Sequence, residues 1–154
     1  MTILLDIDGV LVTVPAWRSV KLLSDGFLEF NERAVKNLIK LINETKASIV
    51  LTTTHRFNYS VPEWKELLKT RGINPSSISK VNELESLSDI AYRSVEIEQW
   101  INLHTDITNY VIIDDDLSLN GLPLAIKQKC VLTKPLIGLD DEATEKAFKI
   151  LLNT

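Results

Sequence analysis

The sequence predicts an α/β protein, a three-layer sandwich built on a mainly parallel, Rossmann-like sheet, and three observations point to it. Apolar runs of strand length alternate with longer segments of helical periodicity along the chain. Three of the predicted strands end in polar clusters, DID at 6–8, TTTHR at 52–56 and DDD at 114–116. Ligands of open α/β sheets collect beyond the carboxyl ends of the strands, so these clusters are expected at one rim. No repeat, low-complexity tract or linker divides the chain, and residues 1–154 read as one domain.

Thr2–Asp6 reads as a buried strand, because ILL runs directly into acidic residues and Gly9. Glu32–Glu44 carries Val35, Leu38, Ile39 and Ile42 on one helical face, with Asn31 as its N-cap. Ala47–Thr52 is the next strand, Val61–Arg71 the next helix, and Gly72–Pro75 a turn. Ser94–Leu103 reads as a helix with Val95, Ile97, Trp100, Ile101 and Leu103 mostly inward. Tyr110–Asp114 is a buried strand and Cys130–Thr133 a short one; Asp141–Leu152 closes as an amphipathic helix capped by Asp140.

Composition narrows the function classes. The chain is 45% hydrophobic and 25% charged, ordinary for a globular protein, and its apolar runs are far too short to span a bilayer. Nothing resembles a signal peptide, and the single cysteine, Cys130, cannot form an internal disulfide, so a cytoplasmic setting is expected. Cys130 falls in the strand KCVLTK and reads as a buried structural thiol. The net charge of −4 comes without a stripe of Lys and Arg, which argues against a tight duplex binder.

Asp6, Asp8, Asp114 and Asp115 would repel one another if gathered at one rim without a cation. A hard divalent ion relieves that repulsion, and an all-oxygen donor set without a His/Cys cluster favours Mg2+ over zinc. ILLDIDGVL at the first strand, IVLTTTHR at the second and VIIDDD at a later one follow the order of motifs in the haloacid dehalogenase superfamily, which the chain resembles over nearly its whole length. Within that superfamily it is similar to a compact subgroup also found as a phosphatase-like module in RNA-repair proteins, although threonines and His55 replace the subgroup's usual serines and tryptophan.

The resemblance implies a phosphomonoester hydrolase in which Asp6 attacks phosphorus and forms an aspartyl-phosphate. Asp8 would protonate the leaving oxygen and later deprotonate the attacking water. Magnesium would be held by the carboxylates of Asp6 and Asp115 and the backbone carbonyl of Asp8, with Asp114 supporting its water shell. Gly9 lets the chain leave the strand in a tight turn. Thr52 would bind a phosphate oxygen beside the Thr53 backbone amide, although spacing leaves Thr52, Thr53 and Thr54 all open. Arg93, just before SVEIEQWI, is the expected cationic third-motif residue, with Lys80 and Arg56 as alternatives and Lys127 too late in the order.

His55 and Arg56 are candidate substrate contacts, each set against a plain loop role. Trp17, in PAWRS, is a further candidate, whereas Trp100 and Trp64 read as packing; Asp116 reads as a turn residue. The intervals between motifs leave room only for a small flap over 10–30, a hairpin of Leu11–Val14 with Phe27–Phe30, and no large cap domain. An open site of that kind suits a large phosphorylated substrate, such as a nucleotide or polynucleotide end, or a partner or oligomer that closes it. The alternatives are a small-molecule phosphatase and a non-catalytic phosphate-binding or interaction module.

Overall fold

The computed structural model describes residues 1–15, 17–82 and 92–153. Strands β1 (Thr2–Leu5), β2 (Ser48–Leu51), β3 (Ile78–Lys80), β4 (Tyr110–Asp114) and β5 (Cys130–Leu132) form one sheet of order β3-β2-β1-β4-β5. Every pairing is parallel, as the alternation of strands and helices predicts. The α-helices among the described residues are α1 (Glu32–Thr45), α2 (Val61–Thr70), α3 (Arg93–Leu103), α4 (Leu124–Lys127) and α5 (Asp141–Leu152).

Side-chain alternation along the strands divides the core in two. Ile3, Leu5, Ile49, Leu51, Val111 and Ile113 pack with Leu38 and Leu41 of α1, Trp64 and Leu68 of α2 and Leu151 of α5. Leu4, Val50, Ile112 and Cys130 face the other way, against Ile97 and Trp100 of α3 and Ile126 of α4. This is the three-layer α/β sandwich, with no large cap among the described residues.

Local chemistry sets the helix starts. Asn31 accepts from the Ala34 amide, Ser60 and Glu63 form a reciprocal capping box at α2, and Asp140 accepts from the Ala143 amide. The predicted element limits fall within a residue or two of those observed.

Two expectations need correction, and one strand went unforeseen. No strands form at Leu11–Val14 and Phe27–Phe30; the loop after β1 instead pinches at an antiparallel Leu22–Leu28 bridge, with the Leu23 and Glu29 amides donating to the Phe27 and Lys21 carbonyls. Phe27 and Phe30 are drawn inward as core, which leaves them no part in a free-standing ribbon. On α3, Val95 and Leu103 are exposed while Glu96 is buried, because Glu96 finds an ion-pair partner. β3 was not anticipated: ISK is too short and too mixed to signal a strand, and it forms by pairing at the edge of β2.

Candidate active site

Register decides what meets at the carboxyl rim. Leu5 of β1 aligns with Leu51 of β2 on one side and with Ile113 of β4 on the other. The next residues along each strand, Asp6, Thr52 and Asp114, therefore emerge side by side across three adjacent strands. Backbone bonds extend the ladder one step further, from the Asp6 amide to Ile113 and from the Thr52 amide to Leu5, at 3.0 and 2.9 Å. The order of the sheet makes this rim a switch point, since β1 continues to β2 on one flank and receives β4 on the other.

Asp6, Asp114 and Asp115 each offer a carboxylate oxygen within 4.8 Å of the others. Asp6 and Asp114 are buried and Asp115 is half-buried. Burial, and then the charge of Asp114, push the Asp6 pKa well above its ordinary value of 3.8. Asp115 is shifted the same way, first by burial. Buried carboxylates that resist ionisation at this spacing suit a hard cation with oxygen ligands.

Gly9 makes room for this arrangement. Its φ is +76°, and a Cβ built there would lie 2.1 Å from Oδ2 of Asp115. The turn is held by Gly9 and Val12, whose backbones bond at 2.8 Å, and by the Thr133 hydroxyl, which donates to the Gly9 carbonyl at 2.7 Å. Thr133 follows β5 as Thr52 follows β2, and its support of the turn was not anticipated. The polar residue ending an apolar run was the available signal.

Arg93 opens α3 and reaches into the cluster, with Nη1 2.6 Å from Asp114 and 3.3 Å from Asp6. Burial opposes its charge, but Asp114 and Asp6 outweigh that effect and raise its pKa above the ordinary arginine value. Lys80, the alternative, donates instead to the Tyr59 carbonyl at 2.7 Å. Thr52 is fully buried and its hydroxyl donates to Asp114 at 3.4 Å. Thr53 accepts from the His55 amide, and Thr54 is exposed in the 3-10 turn Thr54–Asn58.

Asp8 stands outside the buried trio. Its carboxylate is 58% exposed and contacts Nε2 of His55 at 2.8 Å. Asp116 caps a 3-10 turn by accepting from the Ser118 amide, the turn role expected of it.

Arg56 departs from the expectation of a substrate contact. It is fully buried, with Nη1 donating to the Thr52 and Thr53 carbonyls at 3.0 Å each and Nη2 paired with Glu96 at 2.5 Å. Asn82 also donates to Glu96. The buried guanidinium braces the threonine loop, and its full burial keeps it from facing a ligand. Sequence reasoning missed Glu96, which looks like any other acidic residue on a helix.

Trp64 and Trp100 are core residues, whereas Trp17 is 79% exposed with the Arg18 guanidinium over its ring. Cys130 is buried, and its thiol is pushed up to about 11, mainly by burial. No helix among the described residues is long and apolar enough to cross a membrane.

A family model described as the HAD domain in Swiss Army Knife RNA repair proteins matches residues 2–144. Comparisons with curated proteins and with solved structures give no match.

Proposed function

From the premise that the chain belongs to the family of HAD domains in Swiss Army Knife RNA repair proteins, we propose that it is a magnesium-dependent phosphomonoester hydrolase working through Asp6. The observation that carries this reading is the rim itself. The Asp6, Asp114 and Asp115 carboxylates converge, Arg93 reaches two of them, and Thr52 stands on the adjacent strand.

A carboxylate oxygen of Asp6 attacks phosphorus while the bond to the ester oxygen breaks, and Asp8 gives its proton to that oxygen. Water then attacks the aspartyl-phosphate, Asp8 takes a proton from it, and inorganic phosphate leaves Asp6 free. The exposure of the Asp8 carboxylate suits a group that must exchange protons with a leaving group and with water. Arg93 offsets negative charge on the phosphoryl oxygens, and the Thr52 hydroxyl turns from Asp114 to one of those oxygens.

Asp6, Asp115 and the Asp8 carbonyl would hold magnesium, whose charge keeps Asp6 ionised beside an anionic substrate. Asp114 already receives Arg93, Thr52 and the Asp116 amide, which fits it for supporting the site from behind. The Thr53 amide lines the approach. A nucleotide or polynucleotide end is the substrate class we favour, on the family's description and the absence of a large cap among the described residues.

The test is turnover of a panel of phosphomonoesters by purified protein, with magnesium and with chelator, alongside Asp6→Asn. We expect magnesium-dependent release of phosphate and a loss of at least about 10³-fold in Asp6→Asn. Inactivity across the panel, or turnover indifferent to Asp6→Asn, would leave a non-catalytic phosphate-binding module as the better description.

A further inference from the structure

We propose that His55 is the positioning residue for Asp8, holding the acid–base carboxyl in one rotamer through a hydrogen bond from Nε2. The inference rests on the phosphatase reading above and adds a residue to it. The contact is short, 2.8 Å from Nε2 to Oδ2 of Asp8, and spans 47 positions of sequence.

Three features fix the imidazole. The His55 amide donates to the Thr53 hydroxyl, tying its backbone to the loop that carries Thr52. The ring packs against Phe27 at 5.3 Å with planes at 83°, and Phe27 makes further edge contacts with Phe30, Tyr59 and Trp64. On the far side, Asn58 Nδ2 lies 3.5 Å from Nδ1. We place the ring proton on Nε2, facing Asp8, and leave Nδ1 to accept from the Asn58 amide, an assignment that proton–nitrogen spectra of the ring decide.

The arrangement favours the transition state over the ground state. As Asp8 passes its proton from Oδ1 to the departing ester oxygen, its carboxyl becomes a carboxylate, and the bond from Nε2 becomes charge-assisted. The benefit grows with the amount of proton transfer the leaving group requires. The pinched loop after β1 thus contributes through Phe27, which seats the residue that orients Asp8.

Two readouts test this. The first is kcat/KM for glycerol 2-phosphate, whose alkoxide must be protonated, and for p-nitrophenyl phosphate, whose leaving group needs little help. His55→Ala should lower the first about 30-fold and the second no more than about threefold, and His55→Gln, which keeps a donor, should stay within about threefold of wild type on both. Equal losses on both esters, or no loss in an enzyme whose turnover still requires Asp6, would overturn the role of His55 alone. Wild-type inactivity on both esters would count against the phosphatase reading and remove the acid–base role of the pair with it.

The second readout needs no turnover. Long-range proton–nitrogen spectra at about pH 8.5, above the ordinary imidazole range, report which ring nitrogen carries the proton. The chain has two histidines, and His104 is an internal reference because its Nδ1 lies 2.7 Å from the Trp100 carbonyl, a pure acceptor. We expect opposite tautomers, Nε2–H at His55 and Nδ1–H at His104, with Asp8→Asn shifting only the His55 signals. An Nδ1–H tautomer at His55, or signals indifferent to Asp8→Asn, would overturn the contact.

Discussion

Gly9 shows at the scale of one residue how the site depends on something missing. Its positive φ alone would make a side chain costly, by about 1 kcal/mol or somewhat more. The heavier consequence is steric, since a Cβ would collide with the Asp115 carboxylate at 2.1 Å. Gly26 separates the two effects, having φ +80° and open space around its Cβ position. Gly26→Ala should therefore carry only the backbone cost, visible in a urea melt, and leave magnesium binding intact. Gly9→Ala should carry that cost and also weaken magnesium binding at least about tenfold by calorimetry, because Asp115 must move. Equal affinity in the two variants would contradict the close-approach role of Gly9. Residues of this kind were legible in the sequence where the motif is local: DIDG reads in a single glance along one strand end. Partners such as Thr133 and Glu96 were not, because each acquires its meaning only from a neighbour distant in the chain.

Between elements, the connection that matters is the buried pair of Arg56 and Glu96. Arg56 grips the Thr52 and Thr53 carbonyls at the end of β2, and Glu96 lies on α3 one turn beyond Arg93. The pair thereby ties the threonine loop to the helix that presents Arg93. Burial pushes the Arg56 pKa down, and Glu96 opposes that shift. Removing the acid would strand a buried cation, an error that costs about 3 kcal/mol. Glu96→Gln, which preserves shape, should lower the melting temperature by roughly 10 °C in a domain of this size. A shift under about 2 °C would mean that the pair does not hold the elements together. Element by element, the apolar periodicity of α1 and the caps at Asn31 and Asp140 were sufficient for a correct reading. It failed at α3, where a charged residue replaces an apolar one on the inward face, and at β3, which exists only through pairing with β2.

For the whole molecule, parallel strands in the order β3-β2-β1-β4-β5 explain why residues 6, 52 and 114 form one cluster. The architecture could be foreseen because alternation of strand and helix restricts the possible topologies so strongly. The course of the loop after β1 could not, since Phe27 and Phe30 look the same in sequence whether they line a hairpin or plug a core. No large cap forms among the described residues, and the proposed chemistry rests on what Asp6 does to a phosphoryl group. The most direct measurement is capture of the phosphorylated enzyme. Asp8→Asn, given p-nitrophenyl phosphate and magnesium, should form the intermediate without prompt help from a base to hydrolyse it. Acid quenching, borohydride reduction and peptide mass analysis should then find homoserine in place of aspartate at position 6. Unmodified Asp6 in an enzyme that releases p-nitrophenol, or the modification at another residue, would contradict the account.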